Sequence, residues 1–330
     1  MARRVDLAMD TLAMIVLIGG TGDVDNRLVS LLLDHTAASV LVVSRRGRAS
    51  DDRVKTLRLN IAATDAAARI PLGATVVNLT EATPPSVAAD VVRAGGNFLE
   101  TSASPDYVEL IIQEVSANGG AGTGVVCVGA APEWSIGALG DKYRVSGVTS
   151  PTVRPGDLRR RFTFERGGRS RKALGVGFAQ QGVVGQSGRH SHVRVRTFLA
   201  LHPPYATHLT GLLLRLGLGP ALARHKRGLT RILMRLPPPG RVGTQIAVEA
   251  QGPDGGVLAA RHLAAGDQAE VTAAMILAAI RAVNAGEKPL RGSTTIVDHL
   301  TLTEAFDALR RFLPDMPIET WSSGAAGDRA

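Results

Sequence analysis

Short apolar runs alternate with helix-like segments through the first 130 residues, and few folds accommodate this alternation. The predicted strands cover residues 14–18, 40–44, 54–59, 75–79, 97–101 and 125–128, and among them 14–18 is continuously apolar whereas 54–59 alternates. Helical segments over 24–33, 84–96 and 105–118 separate several of them, with Gly119-Gly120 as a stop signal. Strands that alternate with helices lie parallel in one sheet, because each helix carries the chain back to the starting edge. The sequence therefore predicts an α/β fold, a Rossmann-type doubly wound parallel sheet.

The pattern changes after this region, which indicates a second domain. Strand-like segments over 161–165 and 193–199, a hairpin over 242–250 and 256–263, and an amphipathic helix over 267–284 follow. We predict a Rossmann domain over 1–145 and an α+β domain over 146–300, with a basic helical insertion at about 207–236. In the last part, 301–330, we predict a helix over 303–312, which can return to the first domain, and a disordered tail after Trp321.

A glycine-rich turn, Gly20-Thr21-Gly22, joins the first apolar run to the first helix. Glycine lets a diphosphate approach the backbone, and the helix N-terminus offers unpaired N–H groups to it. We therefore predict that this turn, with Asp23 and Val24, binds a dinucleotide. Asp25 stands where the usual pattern has its third glycine. Its carboxylate either stabilises the helix N-terminus or weakens cofactor binding, and the sequence leaves both interpretations open.

The end of the second apolar run indicates which dinucleotide the site prefers. NAD-binding domains place an acid there to accept hydrogen bonds from the ribose 2′-OH. This chain has Ser44-Arg45-Arg46 instead, and the next acid is Asp51. Two guanidinium groups and a hydroxyl suit a 2′-phosphate, so the sequence predicts NADP(H). The alternative is a solvated basic loop.

Several strings resemble those of the saccharopine dehydrogenase-like NADP-binding reductases. They are Val76-Val77-Asn78-Leu79, Ala94-Gly95-Gly96 and Phe98-Leu99-Glu100-Thr101-Ser102, followed by Val126-Cys127-Val128-Gly129-Ala130-Ala131-Pro132. Asp254-Gly255-Gly256 and Val271-Thr272-Ala273-Ala274 are also similar. The resemblance covers residues 14–140 and, more loosely, 242–284.

This resemblance implies a role for particular residues. Those that would hold the adenosine phosphates are Gly20, Thr21, Gly22, Ser44, Arg45 and Arg46, with Asn60 near the adenine. Those that would line the nicotinamide side are Asn78, Leu79, Thr80, Ser102 and Ala103. The second domain would bind substrate and form a homodimer. The chain departs from the family at Thr80-Glu81, where Gly-Pro is common, and at Ala103-Ser104, where Gly-Glu is common.

The sequence excludes three other mechanisms. None of the three tyrosines is followed four residues later by lysine, so the Tyr-x-x-x-Lys mechanism of short-chain dehydrogenases is out. One cysteine and scattered histidines do not give zinc spacing, and no Gly-x-Ser-x-Gly elbow is present. The catalytic residues stay unassigned. Candidates in the expected substrate region are Tyr205, His202, His208, His190 and His192.

The middle of the chain is basic. Between Glu165 and Glu249 there is no Asp or Glu, while 14 Arg or Lys residues occur. Leucines recur at helical spacing through 209–236. The region is either a helical pair with a solvated basic face, or an anionic substrate site, a dock for an acidic carrier protein or a peripheral membrane contact. Few aromatic residues are available for stacking, so no nucleic acid partner is expected.

Together these features predict an NADP-dependent reductase or dehydrogenase. It would act on a C=N or activated C=C bond of a small or carrier-bound metabolite, and the Ala-, Gly- and Arg-rich composition associates it with specialised metabolism. The alternative is a non-catalytic relative that binds a partner enzyme or an acidic carrier protein. The single cysteine and the lack of an apolar run of about 18 residues favour the cytoplasm.

Overall fold

A parallel sheet forms the centre of the molecule. The computed structural model describes residues 14–19, 22–46, 52–63, 67–102, 104–119, 125–128, 159–164, 170–176, 196–200, 204–218, 221, 224–225, 244–251, 257–285 and 292–323. The first strands are β1 (Met14–Ile18), β2 (Ser39–Ser44), β3 (Val54–Arg58), β4 (Thr75–Asn78), β5 (Asn97–Glu100) and β6 (Val125–Val128). The helices among them are α1 (Asp23–His35), α2 (Pro85–Arg93) and α3 (Pro105–Asn118), and a 3-10 turn covers Ala67–Arg69.

The strand order of this sheet is β12-β6-β5-β4-β1-β2-β3, where β12 is Gly292–Thr295. Every strand pair in it is parallel. The order 3-2-1-4-5-6 is that of dinucleotide-binding sheets, and the predicted Rossmann-type fold is confirmed. Because the chain winds outward from β1 to β3 and then resumes at β4, a crevice opens at the carboxyl ends of β1 and β4.

Both faces of the sheet are covered, which explains the continuous apolar runs. Ile15 and Leu17 point to the face that carries α1, whereas Val16 and Ile18 point to the face that carries α2 and α3. All four side chains are fully buried. Successive residues of a strand point to opposite faces, so a strand between two helical layers needs apolar residues at every position.

Later helices complete the layer beside α1. They are α5 (Gln268–Asn284), α6 (Ile296–His299) and α7 (Leu302–Phe312), while α4 (Pro204–Arg215) lies elsewhere. At the start of α5, Arg27 of α1 is hydrogen-bonded to Asp267 at 2.8 Å and to Glu270. Near its end, the Arg281 guanidinium donates to the His35 carbonyl at 2.9 Å. Helices α1 and α5 therefore run side by side in the same direction.

This arrangement differs from the predicted domain boundaries. We expected 267–284 and the residues up to 300 in the second domain, yet α5 packs on α1 and β12 extends the large sheet beside β6. The reason is the composition of α5, in which nearly every residue from Val271 to Ile280 is buried. A helix that is apolar on all sides needs cover on all sides, which a small second domain does not supply.

Outside the large sheet, the described residues form two antiparallel sheets as well as α4. One contains β7 (Arg159–Phe162), β8 (Arg171–Val176) and β9 (Thr197–Leu199). The other contains β10 (Thr244–Gln251), β11 (Val257–Ala265) and β13 (Glu319–Ser323), and it confirms the predicted hairpin. The tail was expected to lose order after Trp321, but β13 continues to Ser323, because its order comes from backbone pairing with β11 and not from apolar side chains. No helix in the described ranges has the length and apolar character to cross a bilayer.

Candidate functional site

The carboxyl ends of β1, β2 and β4 are fixed to one another. The Gly19 N–H donates to the Val43 carbonyl, and the Leu79 N–H donates to the Ile18 carbonyl, both at 2.9 Å. Gly19 has a φ of +105°, and a Cβ there would lie 3.2 Å from the Cβ of Thr80. Only glycine satisfies both conditions at this position. The turn therefore brings Thr80 against the start of the glycine loop, whose Gly20 and Thr21 lie outside the described residues.

The buried Asp25 carboxylate closes the first turn of α1. Gly22 is the N-cap residue, and its N–H donates to Asp25 Oδ2 at 2.6 Å. The carboxylate of Asp25 is thus the helix cap, and Asp25 is only 5% exposed. A diphosphate bound to this turn would use the same N–H. Asp23, beside it, is exposed and forms a 3.8 Å ion pair with Arg27, while Val24 is half-buried.

The ends of β2 and β3 carry the predicted adenosine contacts. Ser44 is nearly buried, and its carbonyl accepts the Leu59 N–H at 3.1 Å. Arg45 and Arg46 follow immediately and are exposed. Asn60 is exposed in the turn after β3, and its Oδ1 accepts the Ala62 N–H at 3.4 Å. The structure therefore gathers these residues at the same edge of the sheet as Gly22.

A buried hydrogen-bond network joins the ends of β4 and β5. Asn78 and Glu100 are both fully buried, and Asn78 Nδ2 donates to Glu100 Oε2 at 2.7 Å. The same amide nitrogen donates to the Tyr107 hydroxyl at 3.1 Å, and Asn78 Oδ1 accepts from Thr83 Oγ1 at 2.6 Å. The Tyr107 hydroxyl in turn donates to the Thr83 carbonyl at 2.6 Å. The Asn78 side chain thus joins the ends of β4 and β5, and its expected place on the nicotinamide side stays a prediction.

Burial sets the protonation of this network. It raises the pKa of Glu100 from 4.5 to about 7, against the lowering effect of hydrogen bonds from Asn78 and from the Ser102 and Thr101 backbone. Burial, and then the nearby charge of Glu100, raises the pKa of Tyr107 far above its usual range. Tyr107 therefore stays a neutral donor, whereas Glu100 changes charge near neutral pH.

Ser102 lies at the rim of this network and is half-buried. Its N–H donates to Glu100 Oε1 at 2.7 Å, and its hydroxyl donates to Glu81 Oε1 at 2.6 Å. Glu81 belongs to the Thr80-Glu81 pair that replaces the Gly-Pro expected from the resemblance. The replacement therefore supplies a carboxylate that holds the Ser102 hydroxyl. Ala103, which we also expected here, lies outside the described residues.

Two of the five predicted catalytic candidates, Tyr205 and His208, lie within the described residues. Tyr205 and His208 are exposed on α4, which packs against β8. Within the described part of the chain, no hydrogen bond or ion pair joins either residue to the Asn78 network. His190, His192 and His202 lie outside the described residues. In the same described ranges, no group of three or more His, Cys, Asp and Glu could hold a metal ion.

Sequence reasoning missed Glu100, Tyr107 and Thr83 as members of the site. One signal was available, since Glu100 is an acid that directly follows the apolar pair Phe98-Leu99 in a predicted strand. A carboxylate in such a place is rarely buried without a partner, and perturbed carboxylates often mark functional sites. Tyr107 carried no such signal, because its position opposite Asn78 depends on how α3 packs.

Comparison with known proteins gives structural likeness without sequence likeness. No protein-family model matches the chain, and no curated protein matches it in sequence. Apo saccharopine dehydrogenase (L-Glu forming) from Saccharomyces cerevisiae aligns over 94% of this chain and 100% of its own, at 12% identity and a TM-score of 0.47. A meso-DAP dehydrogenase mutant with DAP, from Clostridium tetani, aligns over 91% of this chain and 99% of its own, at 9% identity and a TM-score of 0.45.

A short chain dehydrogenase family protein from Francisella tularensis is also similar, over 32% of this chain, at 8% identity and a TM-score of 0.26. The alignment spans only 60% of that protein's length. Alignments with TM-scores below 0.5 do not indicate a shared function. The fold assignment rests on the strand order of the sheet itself.

Proposed function

We propose that this chain is an oxidoreductase that uses a nicotinamide dinucleotide and prefers NADP(H). The observation that carries the proposal is the strand order 3-2-1-4-5-6, with a glycine turn at the β1/β4 crevice. A nicotinamide dinucleotide supplies or accepts hydride when bound. The preference for NADP(H) is supported by Arg45 and Arg46, exposed at the end of β2 where an NAD-binding domain has an acid.

The residues fit this cofactor with one conflict. At the ribose end, two exposed guanidinium groups suit a phosphate, and the nearby Ser44 adds a hydroxyl. At the diphosphate end, the carboxylate of Asp25 already accepts the Gly22 N–H. A diphosphate that bound there would have to displace the carboxylate and would meet its charge. We therefore expect weaker dinucleotide binding than a third glycine would allow.

The substrate we propose is a C=N or activated C=C bond of a small or carrier-bound metabolite. Reduction of either bond adds a hydride to one atom and a proton to the other. The support is the similarity of residues 76–79 and 98–102 to the saccharopine dehydrogenase-like reductases, together with the half-buried Ser102 hydroxyl at the rim of the crevice. In this proposal the chain binds the acceptor beside Ser102, and the buried network holds the ends of β4 and β5 in place.

The test is a fluorescence titration with NADPH and with NADH. We expect NADPH to saturate the protein in the micromolar range and NADH to bind more weakly. The double variant Arg45→Glu/Arg46→Glu should lose about tenfold in NADPH affinity, a modest factor because water screens exposed charges. The matched control is Arg310→Glu/Arg311→Glu, a second pair of adjacent exposed arginines on α7.

Two results would overturn the cofactor proposal. One is the absence of NADPH binding at millimolar concentration. The other is equal NADPH affinity in the Arg45/Arg46 variant and in the Arg310/Arg311 control, because the two guanidinium groups would then have no part in recognition.

A second function is favoured by the Asp25 contact. A chain whose own carboxylate occupies the phosphate-binding N–H is suited to a non-catalytic role, in which it binds a partner enzyme or an acidic carrier protein. Titration of Asp25→Gly separates the two functions. If neither the parent nor Asp25→Gly binds NADPH at millimolar concentration, the non-catalytic function is supported.

A further inference from the structure

Helix α4 has two apolar faces, and only one of them is covered. Thr207 is 2% exposed, and Gly211, one turn later, is also buried. A Cβ at Gly211 would lie 3.0 Å from Leu174 Cδ2 of β8, so this face packs closely on the small sheet. The helix is held in place by that contact, and its orientation is therefore fixed.

The opposite face carries a stripe of exposed apolar side chains. They are Tyr205 (68% exposed), Leu209 (54%), Leu212 (52%) and Leu216 (64%). Their spacing of four, three and four residues places them on one side of the helix, whose last turn Leu216 continues by donating its N–H to the Leu212 carbonyl at 3.0 Å. Leu218 follows and is 40% exposed. Single exposed leucines are ordinary, but a continuous stripe of this kind usually marks an interaction surface.

The charge around the stripe is positive. Arg215 is exposed on the same helix, and Arg224, nine residues further along the chain, is exposed as well. In the sequence, the stripe lies in the middle of the window from 166 to 248, which has 14 Arg or Lys residues and no acid. Any partner of this face therefore meets leucines and cations together.

We propose that the outer face of α4 docks on an anionic lipid surface. Leucines enter the boundary between headgroups and acyl chains, while flanking arginines bind lipid phosphates, and this combination characterises helices that lie in the membrane plane. The 12 residues of α4 extend about 18 Å, which suits a helix lying on a bilayer. An acidic protein is the less suitable partner, because the centres of protein interfaces favour aromatic residues, Met and Arg, and leucine is under-represented at binding hot spots.

The proposal does not depend on the cofactor. The stripe lies on α4, and the predicted dinucleotide contacts lie at the carboxyl edge of the large sheet. A protein that does not bind NADPH could therefore still bind lipid, and a protein that does not bind lipid could still have the proposed oxidoreductase activity.

The experiment is co-sedimentation of the full chain with lipid vesicles. One set contains phosphatidylcholine alone, and the other contains about a third phosphatidylglycerol, enough for a negative surface potential. We expect binding to the anionic vesicles only, and weaker binding at high salt. The variant Leu209→Ser/Leu212→Ser should bind about tenfold more weakly, because it removes two apolar side chains from the contact.

The matched control is Leu110→Ser. Leu110 is 53% exposed on α3, as exposed as the stripe leucines, but it lies outside the stripe. Its variant should bind anionic vesicles like the parent. In a second measurement, Tyr205→Trp should shift its emission to shorter wavelength on anionic vesicles, with the emission of the parent protein subtracted.

Three outcomes would overturn the proposal. The first is no binding to anionic vesicles, or equal loss in Leu110→Ser and in the double leucine variant. The second is binding that falls with Arg215→Glu/Arg224→Glu but not with the leucine variant, which indicates a charge-driven contact such as an acidic protein. The third is a dimer in solution that becomes a monomer when the leucines are replaced, because a second copy of the chain then covers the stripe.

Discussion

The two halves of the carboxyl edge of the large sheet contain polar side chains in opposite environments. Beside β2, Arg45 and Arg46 are exposed to water. Beside β4 and β5, Asn78 and Glu100 are fully buried and bind each other at 2.7 Å. A polar residue that ends a strand can therefore either meet a ligand or hold the strands together. We expect changes in the exposed half to alter binding and changes in the buried half to alter stability.

The largest effect is expected for Asn78→Ala. This variant leaves Glu100, Thr83 and Tyr107 short of hydrogen-bond partners in the interior, which should cost about 3–4 kcal/mol of unfolding free energy. Urea denaturation followed by circular dichroism measures the loss. The matched control is Asn60→Ala, an exposed asparagine at the end of β3, for which we expect less than about 0.5 kcal/mol. Equal losses in the two variants would contradict the contrast between the two halves.

The next effect is a pH dependence caused by Glu100. Its pKa is about 7 in the folded protein and 4.5 as the ordinary value, so the folded state binds more protons between these pH values. The unfolding free energy should therefore fall as pH rises through this interval, by about 3 kcal/mol in total. Glu100→Gln should remove this component, since an amide does not titrate.

The measurement is the difference in unfolding free energy between the parent and Glu100→Gln at a series of pH values. We expect this difference to favour the variant increasingly from pH 4.5 to about 7 and to become constant above it. A constant difference throughout the series would mean that Glu100 has an ordinary pKa. A natural comparison is Glu109→Gln, a change to an exposed acid on α3.

The smallest effect is expected for Asp25, which lies between the two halves. Asp25→Gly should cost about 1 kcal/mol of stability, because it removes the cap of α1. It should also raise NADPH affinity about tenfold, since it frees the Gly22 N–H and removes a negative charge. Asp25→Asn should give an intermediate affinity, because it removes the charge and keeps an acceptor.

Isothermal titration with NADPH checks this order of affinities. Asp34→Asn is the control, an exposed acid in the last turn of the same helix, and its affinity should change little. If Asp25→Gly folds and binds NADPH no better than the parent, the carboxylate is not the obstacle that its contact with Gly22 suggests.

The large sheet was predictable because most of its early strands are short segments of apolar residues that are neighbours in the sequence. The expected bounds of α3 and β6 agree with those observed, and the other early strands differ by a residue at most. Strand β12 was not expected, because Gly292-Ser293-Thr294-Thr295 has no apolar pattern. Its strand conformation comes from pairing with β6, which is a tertiary contact.

The residues of the candidate site also include some that the sequence predicted and some that it did not. The glycine turn and the two arginines could be read from the sequence, because their meaning depends on the residues directly beside them. The Asn78 network could not be predicted in this way, since its side-chain hydrogen bonds join Asn78 to Glu100 and Tyr107, which follow it by 22 and 29 positions in the chain. The role of Asp25 was left open for a similar reason, because it depends on whether the carboxylate turns back to Gly22 or outward to solvent.

The placement of α5 has a consequence for how the chain acquires its structure during synthesis. Helix α5 covers the same apolar layer as Ile15, Leu17 and Leu28, although more than 200 residues separate them along the chain. While the ribosome makes the intervening residues, the side of the sheet that carries α1 lacks the additional cover that α5 provides. Such late, distant pairing slows folding and exposes a surface prone to aggregation. The nascent protein therefore exposes the apolar surface that α5 later covers until residue 284 has emerged.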